Sequence, residues 1–251
     1  MSQEADDLAA QHAELARLLE NLDGIGWHLP TRCDGWDVAD VVLHLAQTDE
    51  LAVASATGRF DVVLRGLTEG AGPAMSVDDG AAAMVARQRG RDPDSLLRRW
   101  TAASSLLVDV LSRTEPSTRV RWVAGELSAR TLATTRLAET WIHSGDVADA
   151  LGVRLAPTDR LRPIARLAWR TLPYAFTAAG RMMRGPVAFR LVAPDGRPWD
   201  FLPDAPAVTT ISGRAAELCA VAARRVDPAS TGLSGDGPDV AAVLALVRTY
   251  A

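Results

Sequence analysis

The uneven distribution of proline divides this chain into two parts of different character. Proline cannot donate a backbone hydrogen bond and disrupts helix interiors, so long helices form where it is rare. Only four of the 14 prolines precede residue 157, and the other ten lie between Pro157 and Pro238. The segment 152–159 is therefore predicted to join a long-helix domain, residues 1–155, to a smaller mixed domain, residues 156–251.

Apolar residues recur at helical spacing in four stretches of the first part. The predicted helices cover residues 3–22, 37–56, 77–113 and 128–151. Asp37 suits the N-terminal cap of the second helix, and Asp94 or Ser95 is expected to restart the third after Pro93. Four helices of this length, each with an apolar stripe, are typical of a four-helix bundle.

The second part mixes helical and strand patterns. We expect a helix over residues 161–181, bent at Pro173, and helices over residues 213–225 and 239–250. The alternating residues 187–192, a turn at 194–197 and the segment 199–201 predict a β-hairpin, with a third strand near 208–211. The sequence therefore predicts an α+β protein: a helical bundle followed by a small α+β domain.

Charge and side-chain chemistry exclude several classes of function. The chain carries 31 acidic and 27 basic residues, a formal charge of −4, which disfavours nucleic-acid binding. All 27 basic residues are arginine. Schiff-base catalysis and a Walker-type phosphate loop are excluded, because both require a lysine amine.

Cysteine content and hydropathy indicate the expected location. Two cysteines, Cys33 and Cys219, are too few for a disulfide framework or a cysteine-based zinc cluster. No apolar run reaches the roughly 18 residues of a transmembrane helix, and the acidic first ten residues are unlike a signal peptide. We expect a cytoplasmic protein that does not bind membranes and is a monomer or a homodimer.

The most informative polar pattern is on the predicted fourth helix. Glu139 and His143 are four residues apart, so they lie about 40° apart on one helix face, which Arg136 and Asp146 join. One interpretation is a surface pair or a hydrogen-bonded core histidine. The alternative adds His44, near the apolar stripe of the second helix, to give two histidines and one carboxylate. Such a set binds Zn²⁺, Ni²⁺ or Fe²⁺ and leaves coordination positions open.

The remaining candidates have narrower roles. Asp146 would accept a hydrogen bond from a ligand histidine, or would be a solvated residue near the helix end. Cys33 precedes the second helix, where packing is the favoured interpretation over a nucleophile. His12 is expected to fill the core, His28 to be exposed in a loop, and Trp141 to anchor the core or line the pocket.

Two runs of residues carry a resemblance to a known family. Trp36 at the start of a helix, followed eight residues later by His44-Leu45, resembles one signature of the mycothiol-dependent maleylpyruvate isomerase family. The run Glu139-Thr-Trp-Ile-His143-Ser-Gly-Asp resembles its other signature. That family belongs to the DinB-like metal-binding four-helix bundles. The resemblance implies metal ligands at His44, Glu139 and His143, and the closest subgroup consists of metal-binding proteins of unassigned reaction.

The resemblance extends to the C-terminal part and implies a chemistry. Residues 213–225, ending in Arg224-Arg225, and the run Ser234-Gly-Asp are similar to the family's closing pattern. It implies that Arg224 or Arg225 acts catalytically on an acidic substrate and that Arg224 binds the thiol cofactor. Trp141, on the helix of Glu139 and His143, is expected to line the pocket that binds this cofactor. A divalent metal, Zn²⁺ by expectation with Ni²⁺ or Fe²⁺ as alternatives, would activate mycothiol for addition to a small electrophile.

Three hypotheses of function follow. The first is a metal-dependent isomerase or transferase that uses mycothiol. The second is a metal-dependent enzyme that uses metal-bound water on a small metabolite without a thiol. The third is a metal-binding stress or regulatory protein without catalysis.

Overall fold

The protein is described by a computed structural model that covers residues 3–70, 76–123 and 125–249. The chain divides into two compact units, Met1–Leu155 and Ala156–Ala251. The first unit is helical with one short hairpin, and the second combines short helices with a small sheet. The predicted α+β class, a helical region followed by a small sheet-containing region, is therefore confirmed.

Long helices build the N-terminal unit. The elements described there are α1 (Gln3–Leu19), α2 (Val38–Ala56), α3 (Phe60–Thr68), α4 (Val77–Gln88), α5 (Pro93–Arg113), β1 (Arg119–Trp122), β2 (Gly125–Ser128) and α6 (Ala129–Ala150). Both α1 and α2 pack against α5 and α6. Leu15, Val41, Leu45, Trp100 and Val147 belong to the shared core, so each of these four helices contributes an apolar face.

Side-chain caps fix the start of the two helices that carry the candidate site. Asp37 caps α2, as predicted, because its Oδ1 accepts from the Asp40 backbone N–H at 2.9 Å while Asp40 reaches back to the Asp37 N–H. This reciprocal arrangement satisfies two orphan donors. Ser128 caps α6 by accepting from the backbone N–H of Thr131. Both helices therefore begin at a defined residue.

Two expectations for the N-terminal unit are corrected. The expected restart within residues 77–113 is present, since α4 and α5 are separate helices, but α5 begins at Pro93 with Asp92 as its cap, not at Asp94 or Ser95. Proline suits a first helical position because its missing N–H needs no partner there. Helix α3 and the β1–β2 hairpin were not predicted, since both are short and lack a long periodic pattern.

The C-terminal unit contains a four-stranded sheet and short helices. Its described elements are α7 (Leu161–Arg170), α8 (Leu172–Ala178), β3 (Val187–Val192), β4 (Pro198–Phe201), β5 (Thr209–Arg214), α9 (Ala215–Ala222), β6 (Ser234–Asp236) and α10 (Val240–Leu246). The strand order is β4-β3-β5-β6. The predicted β3–β4 hairpin is present, with Phe189 opposite Phe201, whereas β5 pairs parallel to β3.

Helix boundaries in this unit differ from expectation. The predicted helix 161–181 is two helices separated at Thr171, and Pro173 lies in the first turn of α8 rather than at a bend. The last helix ends at Leu246, and Tyr250 of its predicted range lies outside the described residues. None of the helices described is long and apolar enough to cross a membrane.

Candidate metal centre

Helices α2 and α6 bring three polar side chains together inside the N-terminal unit. His44 Nε2 lies 3.3 Å from Glu139 Oε2, and His143 Nε2 lies 3.8 Å from the same oxygen. The two imidazole rings meet edge to face, with centroids 5.0 Å apart. Both histidine side chains are more than 90% buried and that of Glu139 is 24% exposed. One carboxylate oxygen thus faces two imidazole nitrogens.

His44 is held in a largely apolar environment. The Trp36 ring lies 5.2 Å from the imidazole, centroid to centroid. Burial lowers the pKa of His44 from its usual value, although the hydrogen bond to Glu139 opposes that effect. Within the described chain its Nδ1 is buried without a hydrogen-bond partner. The ring is therefore favoured in the neutral form that binds metals.

Glu139 and His143 shift each other's pKa in opposite directions. Burial alone would raise the pKa of the Glu139 carboxyl, but the hydrogen bond to His44 and nearby positive charge, chiefly that of His143, outweigh it and lower the pKa to about 2. Burial alone would lower the pKa of His143, but hydrogen bonds to Asp146 and Cys33 and the Glu139 charge raise it to about 9. Without a cation, the pair is an imidazolium facing a carboxylate.

The second ring nitrogen of His143 faces Asp146 and Cys33. His143 Nδ1 lies 3.0 Å from Asp146 Oδ2, and Asp146 is 1% exposed. The Cys33 thiol donates to the same carboxylate at 3.4 Å, and its Sγ lies 3.9 Å from His143 Nδ1. Cys33 also packs on the apolar core, as expected, while its sulfur contacts the candidate site.

The donor atoms suit a divalent cation. One ligand atom each from His44, Glu139 and His143 lie within 4.8 Å of one another, and the same holds for Cys33, His143 and Asp146. Two nitrogens and one carboxylate oxygen are a common set for Zn²⁺ sites that keep a position for water or substrate.

Three candidates from the sequence remain: Trp141, Arg224 and Arg225. Trp141 is half-buried on α6. Arg224 and Arg225 follow α9, where Arg224 Nη1 donates to the Ala245 carbonyl and Arg225 Nη1 to the Ala223 carbonyl. The roles of these three residues toward a ligand remain predictions.

The two other histidines do not join the cluster. The His28 side chain is 66% exposed and pairs with Asp37, so the expectation of an exposed loop residue is confirmed. His12 is buried, as expected, but its Nε2 also lies 3.6 Å from Asp49 Oδ2. His12 therefore has a contact with a buried carboxylate in addition to its packing in the core.

Sequence reasoning missed a buried polar group beside the site. Arg136 donates to Asp49 Oδ1 and to the Thr48 hydroxyl, and all three side chains are buried. The signal that was available is the run Gln-Thr-Asp at residues 47–49 inside an otherwise apolar helix. Polar residues within a buried stretch require partners, and the partner here is on α6.

Comparisons with known proteins identify the family of this chain. Residues 8–148 match the family model described as the mycothiol maleylpyruvate isomerase N-terminal domain. Two uncharacterized proteins of Mycobacterium tuberculosis, from strains CDC 1551 / Oshkosh and ATCC 25618 / H37Rv, are each 32% identical over 246 residues, 98% of this chain and 94% of theirs.

Solved structures are similar in fold. Two crystal structures of mycothiol-dependent maleylpyruvate isomerase, one of a point mutant, align with TM-scores of 0.60 and 0.59 at 18% identity, and the alignment covers 93% of this chain and 92% of theirs. Fold and site define a protein with a helical unit that holds a candidate metal centre and a small α+β unit. The chain belongs to the mycothiol maleylpyruvate isomerase family.

Proposed function

We propose that this protein is a divalent-metal-dependent enzyme that uses mycothiol in the isomerisation of, or transfer to, a small electrophilic substrate. The observation that carries the proposal is the convergence of His44, Glu139 and His143 within 4.8 Å, in a chain whose family is defined by a mycothiol-dependent isomerase. Zn²⁺ is the metal that this donor set favours, and Ni²⁺ and Fe²⁺ are compatible with it.

Each side chain has a distinct part in holding the ion. His44 and His143 would present Nε2, and Glu139 would present the Oε2 that already faces both rings. A metal at Nε2 would displace the proton there and leave His143 Nδ1–H to donate to Asp146, which would orient the ring. The low pKa of Glu139 keeps its carboxylate ionised, so it is ready to ligate a cation.

The bound groups would supply the reactive chemistry. A divalent ion lowers the pKa of a coordinated thiol or water, so that either is a nucleophile near neutral pH. Mycothiol would supply a thiol whose reversible addition to a double bond permits rotation about it. The three protein donors would leave coordination positions for such a ligand.

Two arginines and one tryptophan extend the proposal. Arg224 or Arg225 would bind an acidic substrate, since a guanidinium pairs bidentately with a carboxylate. Arg224 and Trp141 would contribute to thiol binding. Alanine variants of these residues should raise KM for substrate or thiol without loss of the metal, which separates their role from that of the three donors.

Metal analysis tests the centre itself. The purified protein is stripped with a chelator, reloaded with Zn²⁺ and analysed for bound metal, with His44→Ala, Glu139→Ala and His143→Ala as variants. His28→Ala is the matched control, because His28 is an exposed histidine outside the cluster. We expect one ion per chain in the wild type and the control and none in the variants. A wild type without stoichiometric metal would exclude the proposal.

Calorimetry with mycothiol tests the thiol on the metal-loaded protein. At a hundredfold excess of ligand over its Kd, binding should add about 2.7 kcal/mol to the free energy of unfolding. Maleylpyruvate with and without mycothiol is the first substrate to assay. Metal binding without any response to mycothiol would exclude mycothiol as the cofactor. It would favour an enzyme that uses metal-bound water or a metal-binding protein without catalysis.

A further inference from the structure

A buried ion pair joins α2 to α6 next to the candidate centre. Arg136 Nε donates to Asp49 Oδ1 at 3.1 Å, and the two side chains are 2% and 0% exposed. Arg136 precedes Glu139 by three residues, and Asp49 follows His44 by five. The pair therefore lies about one helical turn along each helix from the residues that would bind the metal.

A second connection reaches the backbone of a candidate ligand. Arg136 Nη2 donates to Thr48 Oγ1 at 2.8 Å, and the Thr48 hydroxyl donates to the His44 carbonyl at 2.8 Å. The guanidinium on α6 is thus two hydrogen bonds from the backbone of His44 on α2. Because Glu139 is on the same helix as Arg136, this chain of bonds links the helix that carries Glu139 to the backbone of His44.

The energetics favour a positioning role over a stabilising one. Removing two charges from water is costly, and buried ion pairs are often replaced by apolar residues with little loss of stability. Asp49 Oδ2 has no hydrogen-bond partner within the described chain, and His12 Nε2 lies 3.6 Å from it, too far for a hydrogen bond. A buried acceptor without a partner costs free energy, so this network is not optimised for stability.

We infer that Arg136 is a positioning residue, which acts through Asp49 and Thr48 to fix the separation of His44 and Glu139 needed for metal binding. The inference rests on the proposed metal site. Arg136 touches neither the metal nor the substrate in this scheme. Its effect should therefore appear in the affinity and geometry of the bound ion, beyond any effect on folding.

Co²⁺ is the probe, because its visible absorption spectrum reports coordination geometry. The main variant is Arg136→Met/Asp49→Leu, which removes both charges and leaves no unpaired ion. Thr48→Val removes only the hydroxyl that links Arg136 to His44. The matched control is Arg99→Met/Glu50→Leu, which removes a bidentate pair between α5 and α2. The Kd for Co²⁺ is measured by chelator competition, and unfolding by urea.

We expect the main double variant to fold, to bind Co²⁺ about tenfold more weakly and to show a shifted spectrum. Thr48→Val should show a smaller loss in the same direction, and the control should keep the wild-type Kd and spectrum. A double variant with both wild-type values overturns the inference.

If the double variant does not fold, Thr48→Val decides by the same two readouts, and unchanged values overturn the inference. The proposed function fails separately, when the wild type itself binds no Co²⁺; the inference then falls with it. Weakened binding that occurs equally in the Arg99→Met/Glu50→Leu control would also overturn it, since the effect would then be general loss of packing.

Discussion

The Nδ1 atom of His143 lies 3.0 Å from Asp146 Oδ2, while Nε2 of the same ring faces Glu139. One imidazole therefore connects two carboxylates, one on each side. Asp146 is one helical turn further along α6 and is fully buried, so the contact is built into a single rigid element. A metal-binding histidine is commonly oriented by a carboxylate in this way.

Asp146→Asn tests this orientation. The change keeps the shape of the side chain but removes the charge that favours a proton on His143 Nδ1. We expect the Kd for Zn²⁺ to rise about tenfold or more, with little change in fold. Asp149→Asn is the control, because Asp149 is on the same helix and pairs at the surface with Arg32. Equal affinities of Asp146→Asn and wild type for Zn²⁺ would show that Asp146 has no part in metal binding.

Stability of the metal-free protein should depend on pH through His12. Burial lowers the pKa of His12 below 6.5, with the Asp49 charge opposing and the Arg136 charge adding to the effect. Below pH 6.5 the unfolded chain binds a proton that the folded chain resists, so the free energy of unfolding falls as the pH falls. The contribution is fully present above pH 6.5, and one group changes it by at most about 1.4 kcal/mol per pH unit.

Urea unfolding at pH 7.5 and 5.5 measures this dependence. His12→Gln should lose less stability than the wild type between the two values, and His28→Gln, at an exposed position, should match the wild type. Parallel pH profiles for wild type and His12→Gln would show that His12 does not carry the effect.

The cap of α2 should contribute to stability. Asp37 accepts from the Asp40 backbone N–H, and its loss leaves that donor without a side-chain partner. Asp37→Ala should lower the free energy of unfolding by about 1 kcal/mol. Asp34→Ala, at an exposed position in the preceding turn, should change it by less than about 0.5 kcal/mol. Chemical denaturation measures both variants. An equal loss in the free energy of unfolding for the two would show that the Asp37 cap does not stabilise α2.

Arg224 has an unusual backbone conformation that can be separated from its side chain. Its φ is 60°, in the left-handed region where helices usually end on glycine. Arg224→Gly and Arg224→Ala both remove the bond to the Ala245 carbonyl, but only alanine must adopt this strained conformation. The glycine variant should be more stable by about 1 kcal/mol. If substrate binding requires the guanidinium, both variants should lose substrate binding to the same extent.

The sequence predicted the candidate donors because their signal is local. Glu139 and His143 share a helix face by spacing alone, and His44 was paired with them by residue type and by resemblance. The Asp37 cap and the β3–β4 hairpin were also predictable, since each depends on a few adjacent residues.

Features that depend on distant partners were not predictable. Asp49 meets Arg136 across 87 residues, and no periodicity indicates which buried polar residue pairs with which. The parallel pairing of β5 with β3 depends on chain topology, which short alternating segments do not determine. Helix α3 has only nine residues, too few for a clear helical period.

We propose above that one divalent ion is held by His44, Glu139 and His143. X-ray absorption on the thiol-free, Zn²⁺-loaded protein tests it most directly, because nitrogen and oxygen ligands scatter differently from sulfur. We expect two imidazole nitrogens and a carboxylate oxygen at about 2.0–2.2 Å from the zinc, and no sulfur. The double variant Glu139→Ala/His143→Ala should retain no bound zinc and therefore show no zinc absorption edge. A sulfur at about 2.3 Å would contradict the claim, since it would place the ion with Cys33, His143 and Asp146 instead.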